Sequence, residues 1–202
     1  MGVLRAVSAV REAMPELHVV TVSTRPGRHG HRLAQWFADR GREHGRFEVV
    51  PVDLQTVGLP LFDEPNHPRL RKYVHPHTVA WSELVDRADA FVFVTPEYNY
   101  SAPPSLFNAL DYLFHEWAYK PVGFLSYGGL SGGLRGVQHA KSAVTALNMM
   151  PVPVTLAVPM FQRHLTEDGR FEPDPTLADT ARLLLDELGK WEGALRSLRH
   201  PT

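Results

Sequence analysis

The apolar residues of this chain form five short continuous runs separated by stretches with helical periodicity. The runs predict strands at Leu17–Ser23, Phe47–Leu54, Ala90–Thr95, Val122–Tyr127 and Val152–Val158. Continuous apolar runs of this length are typical of strands that a parallel sheet buries on both faces. Because helical segments alternate with these strands, we predict an α/β fold with a doubly wound parallel sheet and helices on both faces.

Apolar residues three or four positions apart predict the helices between and after these strands. One helix is expected at His31–His44 and another from about Thr78 to Arg87. Two further stripes comprise Leu106, Leu110, Leu113 and Trp117, then Val137, Ala140, Val144 and Leu147. The last helix should begin at Pro175, with Asp174 as its N-cap, since these residue types favour those positions.

Two segments stand outside this alternation. Residues 1–16 show helical spacing of apolar residues and are interpreted as a short extra helix or as an early start codon. Gln55–His77 contains four prolines and is interpreted as a long irregular excursion on the surface. We therefore predict an N-terminal extension over residues 1–16 and a single domain over residues 17–202.

Composition narrows the functional classes. The net charge of −1 offers no general attraction for nucleic acid or an anionic membrane. The absence of cysteine excludes disulfides, thiolate nucleophiles and cysteine-ligated metal centres, so redox chemistry would need a bound cofactor. The sequence shows no signal peptide and no apolar segment long enough to span a membrane, and we expect a cytoplasmic protein.

Three loops should meet at the carboxyl edge of the sheet, where parallel α/β folds bind ligands. The first runs from Ser23 to His31 and offers hydroxyl groups, two arginines and the free N–H groups of a helix start. This combination suits a phosphate dianion, although a solvated basic turn has the same composition. The loop lacks both the P-loop ending and the dinucleotide glycine pattern.

The other two loops suit a flat heteroaromatic ring. Thr95–Pro104 combines tyrosines, an asparagine and prolines, which supply aromatic surface, hydrogen bonds and stiffness. Ser126–Arg135 contains four glycines in six residues, which would allow close approach of the backbone to a ligand, and Ser131 is a candidate helix cap. A proline-rich turn with core tyrosines and a flexible loop are the alternative interpretations. Taken together, the three loops favour a mononucleotide with a large ring, and FMN fits that description.

The same loops carry a resemblance to a known family. Ser23–Gly30 (STRPGRHG) resembles the phosphate loop of the NADPH-dependent FMN reductases, a family that includes NAD(P)H:quinone, azo and chromate reductases. Thr95–Asn99 (TPEYN) resembles the signature motif of that family, and Asn108–Asp111 continues it into the next helix. Ser126–Gly129 and Gly132–Arg135 resemble its third loop and the helix start that follows.

The resemblance implies a flavodoxin-like fold with strand order 2-1-3-4-5 and an assembly of at least two subunits, a homodimer or a homotetramer. It also implies FMN as the cofactor, NADPH or NADH as the electron donor, and ping-pong reduction of small acceptors. The acceptors would be quinones, azo compounds, flavins or metal oxyanions. No side chain is assigned as acid, base or nucleophile, because FMN itself would carry the chemistry.

The predicted cofactor-binding residues follow from the three motifs. The phosphate would be held by Ser23, Arg25, Arg28, Gly30 and His31. The flavin ring and ribityl chain would be held by Pro96, Glu97, Tyr98, Asn99 and Tyr100, and by Ser126, Tyr127, Gly128 and Gly129. The aromatic residues Phe62, Trp117 and Tyr119 are candidates for the acceptor pocket or for core packing.

Two alternatives remain open at this level. The pairs His75/His77 and His29/His31 have the i, i+2 spacing of possible metal ligands, but neither is accompanied by a second ligand cluster, and we expect no metal site. The protein could also be an FMN-binding electron carrier or redox sensor that does not turn over nicotinamide.

Overall fold

The computed structural model describes residues 14–199 and contains one five-stranded sheet. Its strands are β1 Glu16–Thr21, β2 Glu48–Asp53, β3 Ala90–Pro96, β4 Pro121–Tyr127 and β5 Met150–Val158. All neighbouring strands are parallel, and their order is β2-β1-β3-β4-β5. The predicted fold class and strand order are therefore confirmed.

Helices cover both faces of the sheet. They are α1 Gly30–His44, α2 Leu54–Val57, α3 Pro76–Arg87, α4 Pro104–Asp111, α5 Leu134–Ala146 and α6 Pro175–Arg199, with 3-10 segments at Pro68–Leu70, His115–Trp117 and Phe161–His164. Buried side chains of α1 and α6 pack on one face, and those of α3, α4 and α5 pack on the other. Among the helices of residues 14–199, none is both long and apolar enough to cross a membrane.

Helix ends follow the predictions with one clear exception. Asp174 accepts a hydrogen bond from the backbone N–H of Leu177 at 3.0 Å, as expected of an N-cap before Pro175. The helix predicted from the stripe Leu106–Trp117, however, ends at Asp111. Trp117 remains buried in the 3-10 segment that follows. Regular spacing of apolar residues indicates which residues face the core, and a residue of a tight turn can face the same core without being helical.

The two unusual segments differ from their predictions in different ways. Most of the predicted N-terminal helix lies outside the described residues, and Met14 is exposed and not helical. The excursion after β2 is more regular than expected, since it contains α2 and a 3-10 segment. Its Glu64 carboxylate is buried and accepts hydrogen bonds from the backbone N–H groups of Val74 and His75, which anchors the excursion before α3.

Candidate active site

The carboxyl ends of β1, β3 and β4 surround a cavity of about 160 Å³. All three predicted loops contribute to its lining, as expected for a ligand site at this edge of a doubly wound sheet. A fourth segment, which follows β5, also contributes. The lining residues are Ser23, Arg25, Arg28, His29, Pro96, Glu97, Tyr98, Tyr127, Gly128, Gly129, Phe161 and Gln162.

The first loop presents cations and a buried hydroxyl at the start of α1. Ser23 is fully buried, and Arg25 is exposed at the rim. Arg28 donates from one terminal nitrogen to Asp53 at the end of β2, at 2.5 Å. Gly30 faces Tyr127 so closely that a Cβ at this position would lie 2.8 Å from the tyrosine hydroxyl. The sequence places glycine there because a side chain would displace Tyr127.

Tyrosine hydroxyls join the second and third loops to the first. Tyr98 and Ser23 share a hydrogen bond at 2.6 Å, so the Tyr98 hydroxyl lies at the end of the cavity near the predicted phosphate loop. Tyr127 is buried against the start of α1, and burial raises its pKa, which keeps it a neutral hydrogen-bonding group. Both tyrosines therefore offer hydroxyl groups as well as aromatic surface.

The loop after β3 makes a tight turn with a strained backbone. Asn99 and Tyr100 have φ of 49° and 68°, and the flanking residues Tyr98 and Ser101 exchange two backbone hydrogen bonds of 2.8 and 2.9 Å. Positive φ at both central residues is typical of a type I′ turn, which favours asparagine or glycine. For Tyr100 the conformation costs about 1–2 kcal/mol, so surrounding contacts must hold it.

Those contacts come from the first turns of α5 and the loop before it. The Glu97 carboxylate accepts hydrogen bonds from Ser131 Oγ at 2.9 Å and from Arg135 Nε at 2.7 Å. Burial by itself would raise the pKa of Glu97, but the bonds from Arg135 and Ser131 outweigh it and lower that pKa below its usual value. Glu97 thus binds the third loop through its side chain.

Two further contacts complete this attachment. The Arg135 guanidinium lies 3.9 Å from the centroid of the Tyr100 ring, and Ser101 Oγ shares a hydrogen bond of 2.7 Å with His139 Nδ1. Gly136 permits the approach, because a Cβ there would lie 2.9 Å from the carbonyl oxygen of Ser101. We call Glu97, Tyr100, Ser131 and Arg135 the loop strap, since they fix the second loop to the third.

The glycines of the third loop serve the protein's own packing. Gly132 and Gly133 have φ of 58° and 85°, and a Cβ on either would lie 2.9 Å from backbone nitrogens, those of Pro159 and Tyr127 respectively. The N-cap residue of α5 is Gly133 and not Ser131, although Ser131 Oγ accepts a hydrogen bond from the backbone N–H of Gly133 at 3.2 Å, so the predicted cap is wrong only in its position. Ser131 Oγ also donates a hydrogen bond to Glu97. Gly128 and Gly129 remain in the cavity lining.

Comparisons with known proteins agree with this geometry. The family model described as NADPH-dependent FMN reductase matches residues 15–163. This chain belongs to that family. It is 41% identical over 121 residues to an NAD(P)H-dependent FMN reductase of Schizosaccharomyces pombe, and 42% identical over 112 residues to a quinone reductase of Escherichia coli K12. These matches cover 59% and 51% of the chain and 60% of each relative.

A solved structure shows the same fold at low sequence identity. The flavoenzyme NAD(P)H:(acceptor) oxidoreductase FerB of Paracoccus denitrificans has a TM-score of 0.71 and 18% identity, covering 89% of this chain and 98% of its own. The family resemblance predicted from the three motifs is thus confirmed. So are the prediction of an oxidoreductase and the prediction of FMN as cofactor with NAD(P)H dependence.

The residues of the cavity fit the phosphate end of FMN. Within residues 14–199, Arg28 Nε, His29 Nδ1 and Ser126 Oγ are shielded from solvent and have no hydrogen-bond partner. Unpartnered buried polar atoms are uncommon in folded proteins and call for an explanation, such as a ligand. Arg28 and His29 both line the cavity, beside Arg25. An anion at this place would neutralise the arginines and satisfy the free donor of Arg28.

Some predicted residues lie away from the cavity. The exposed side chain of His31 lines a separate cleft with Trp36 and Phe171, while its neighbour His29 lines the cavity. Asn99 and Tyr100 are exposed and do not line the cavity. The sequence does not predict which loop side chains face the cavity, because adjacent residues of a loop point in different directions.

Three lining residues escaped the sequence analysis. Phe161 and Gln162 follow β5 in a segment with no motif, and tertiary folding alone brings them to the cavity. His29 lies inside the predicted phosphate loop but was considered there only as a metal ligand. Its position directly before Gly30, the first residue of α1, was the available signal.

The aromatic candidates for an acceptor pocket separate into three environments. Trp117 is buried in the core beneath α3. Tyr119 lies two residues before the first residue of β4 and therefore toward the opposite edge of the sheet. Phe62 is 40% exposed and packs edge-on against Tyr112, and its backbone N–H donates a hydrogen bond to Asn108 Oδ1.

The histidine pairs do not form metal centres within the part of the chain that the structure describes. His75 and His77 stack at 5.1 Å, and both approach the Asp63 carboxylate. No group of three or more potential ligands in residues 14–199 has an arrangement that could hold a metal ion. His29 and His31 line different clefts.

Proposed function

We propose that this protein passes electrons from NADPH or NADH, by a ping-pong scheme, to small acceptors. Quinones are the acceptors that the similarity to a quinone reductase supports most directly, and azo compounds, flavins and metal oxyanions are further candidates. When bound, FMN would supply the redox chemistry, because it accepts a hydride from one partner and reduces another. The observation that carries the proposal is the meeting of three loops around one cavity with unpartnered polar groups.

The protein's own residues would bind and orient the cofactor. We assign the phosphate to Ser23, Arg25 and Arg28 and to the N–H groups at the start of α1, where the helix dipole favours an anion. The assignment of His31 is restricted to its backbone, since its side chain lines another cleft. The ring and ribityl chain would contact Pro96–Tyr100 and Ser126–Gly129, with Glu97 acting through the loop strap.

The visible spectrum tests this proposal. The purified protein is supplied with FMN, freed of excess, and treated with NADPH and then NADH without oxygen. We expect flavin bands that bleach with nicotinamide and return with an added quinone. Flavin bands that persist with both nicotinamides would favour the alternative, an FMN-binding electron carrier or redox sensor that does not turn over nicotinamide. A protein that retains no flavin would refute the cofactor site itself.

We also propose that the protein is a cytoplasmic homodimer or homotetramer with the active site close to a subunit interface. The proposal is an analogy with the family. Apolar side chains exposed near the cavity are consistent with it, including Leu61, which is 83% exposed, and Leu130, which is 92% exposed. Sedimentation equilibrium at micromolar concentration should give at least twice the mass of one chain. A monomer would contradict the assembly, and cell fractionation would test the location.

A further inference from the structure

A second cleft lies beside the cavity at the carboxyl edge of the sheet. It has a volume of about 470 Å³, and its walls are α1 and the loop between β5 and α6. His29 lines the cavity and His31 lines the cleft, so their Cα atoms are less than about 8 Å apart, because consecutive Cα atoms are about 3.8 Å apart. A ligand that extends from the cavity past the start of α1 would therefore enter this cleft.

Arg32 is a half-buried cation in the wall of the cleft. Among residues 14–199, no carboxylate lies within ion-pair distance of its guanidinium, and no group accepts a hydrogen bond from it. A Cβ built on Gly169 would lie 2.8, 2.8 and 2.9 Å from Cζ and the two terminal nitrogens of Arg32. Since these distances are nearly equal, the face of the planar guanidinium is turned toward Gly169. The contact holds the group in place and leaves the N–H donors around its edge for a ligand.

The neighbouring charged groups of the cleft are already paired. Asp39 accepts a hydrogen bond from Arg42 at 2.7 Å. Asp168 forms an ion pair of 2.8 Å with Arg170. Of the two arginines in the described wall of the cleft, Arg32 is thus the one that an incoming anion can bind without breaking an existing ion pair.

An aromatic surface lies next to Arg32. Trp36 follows it by four residues on α1, so the two side chains are neighbours on one face of the helix. The indole of Trp36 is half-buried and packs edge-on against Phe171, with ring centroids 5.3 Å apart, and both residues line the cleft. A half-buried indole provides a flat surface on which a heteroaromatic base can stack.

This pairing of a guanidinium with an indole matches one end of the electron donor. NADPH differs from NADH only by a phosphate on the 2′-oxygen of its adenosine, and arginine is the residue type that binds such a phosphate through two parallel hydrogen bonds. Adjacent positions on one helix face suit a base and a phosphate that are joined through a single ribose.

We propose that the cleft binds the adenosine 2′-phosphate end of NADPH, with Arg32 paired to the 2′-phosphate and Trp36 against the adenine. This inference rests on the proposed use of a nicotinamide donor. It deepens that proposal, because it assigns a preference for NADPH over NADH and names the residue that sets it.

Calorimetric titration with 2′,5′-ADP tests the cleft without turnover. This nucleotide carries the 2′-phosphate and no nicotinamide, and 5′-AMP lacks the 2′-phosphate. We expect the FMN-loaded wild type to bind 2′,5′-ADP at least about tenfold more tightly than 5′-AMP. Arg32→Ala should bind 2′,5′-ADP about 10- to 100-fold more weakly and 5′-AMP unchanged. Arg32→Lys keeps the charge without the planar fork and should recover part of the affinity.

Two further variants separate the base from the phosphate. Arg40→Ala is the matched control, because Arg40 belongs to the same helix, pairs with Glu43 and does not line the cleft. It should bind both nucleotides as the wild type does. Trp36→Leu keeps an apolar side chain without the aromatic face and should weaken both nucleotides by about tenfold. Unchanged retention of FMN in each variant shows that the fold and the flavin site are intact.

Steady-state oxidation of NADPH and NADH with excess quinone extends the test to the reaction. Arg32→Ala should raise the KM for NADPH by about 10- to 100-fold with kcat unchanged, because a contact remote from the reacting ring stabilises the ground state and the transition state equally. The KM for NADH should change by less than about twofold.

The failures are distinguishable. If the wild type does not distinguish 2′,5′-ADP from 5′-AMP, or if Arg32→Ala binds 2′,5′-ADP as tightly as the wild type, the inference about the cleft is wrong, even where NADPH bleaches the flavin. A protein that retains no flavin would refute the proposed cofactor site instead. The same titrations of the flavin-free protein would then decide the cleft by the same criteria.

Discussion

At the scale of single residues, the site is defined by charges that lack a full set of partners. Arg28 uses one terminal nitrogen for Asp53 and leaves Nε unsatisfied, and Arg25 extends into solvent at the rim. Ser23 is buried and already shares a hydrogen bond with Tyr98. An anion would supply the missing partners of these groups, whereas an apolar ligand would leave the groups desolvated and unpaired.

The double variant Arg25→Ala/Arg28→Ala tests this assignment. We expect the Kd for FMN to rise by about 10- to 100-fold, because hydrogen bonds to charged groups contribute about 1.5–3 kcal/mol each and the exposure of Arg25 reduces its share. Binding of riboflavin should change little. Arg42→Ala/Arg182→Ala, on the surfaces of α1 and α6, is the matched control. An unchanged Kd for FMN in the site variant would contradict the phosphate assignment.

At the scale of elements, the site depends on loops that hold one another. The strained turn at Asn99 and Tyr100 has its hydrogen bonds within the loop, but its position relative to the sheet comes from α5. Ser105, in α4, adds another link by donating to the carbonyl oxygen of Val22 at 2.7 Å. The pocket for the ring is therefore assembled before any ligand arrives, which limits the loss of entropy on binding.

Replacing Arg135 with alanine should loosen the loop strap. In this variant the turn would have to become ordered when a ligand binds. Fixing the backbone of one residue costs about 1–2 kcal/mol, so the Kd of the variant for its ligand should be about tenfold higher than that of the wild type. Because the turn serves the ring, FMN and riboflavin should be weakened equally, unlike the result for Arg25→Ala/Arg28→Ala.

Two further variants sharpen that experiment. Arg135→Lys keeps the charge but loses the guanidinium fork and should recover only part of the affinity. Arg170→Ala, which removes an exposed arginine paired with Asp168 in another loop, should leave both ligands unaffected. Equal Kd values for Arg135→Ala and Arg170→Ala would show that the strap has no part in binding.

At the scale of the whole molecule, ionisable groups have different roles at the two ends of the strands. The carboxyl edge holds the site, and the opposite edge holds buried ionisable groups that serve the fold. Burial lowers the pKa of Lys120 to about 8, while its ammonium donates to the carbonyl oxygens of Val85 and Asp86 at 2.9 Å. On β1, burial lowers the pKa of His18 despite its hydrogen bond to Glu16.

His18 should make the stability of the fold depend on pH. Its pKa in the folded state lies below the unfolded value of about 6.5, so the unfolded chain binds more protons and stability falls as the pH drops below that value. The loss is at most about 1.4 kcal/mol per pH unit for one group. Urea unfolding of the wild type, His18→Gln and the exposed-site control His115→Gln should show a shallower loss between about pH 7 and 5 for His18→Gln alone. Equal slopes for all three would contradict this role.

Local pattern was sufficient for the architecture of this protein. A strand such as Ala90–Pro96 is recognisable because burial on both faces demands an unbroken apolar run, and alternation of five such runs with helices leaves few topologies. The loops of the site were also recognisable, since strand ends of a parallel sheet meet at one edge. The helix after Pro104 was misjudged in length, because spacing reports burial and not hydrogen bonding.

The sequence by itself therefore determined the fold, the edge of the sheet that binds the ligand and the class of that ligand, because each depends on periodicity or on residues close together in the chain. Tertiary structure alone decided that His29 and not His31 lines the cavity, that Glu97 binds Arg135, and that Phe161 and Gln162 join the wall. These features arise where segments far apart in sequence approach within a few ångströms, and no local pattern encodes the direction in which a loop side chain points.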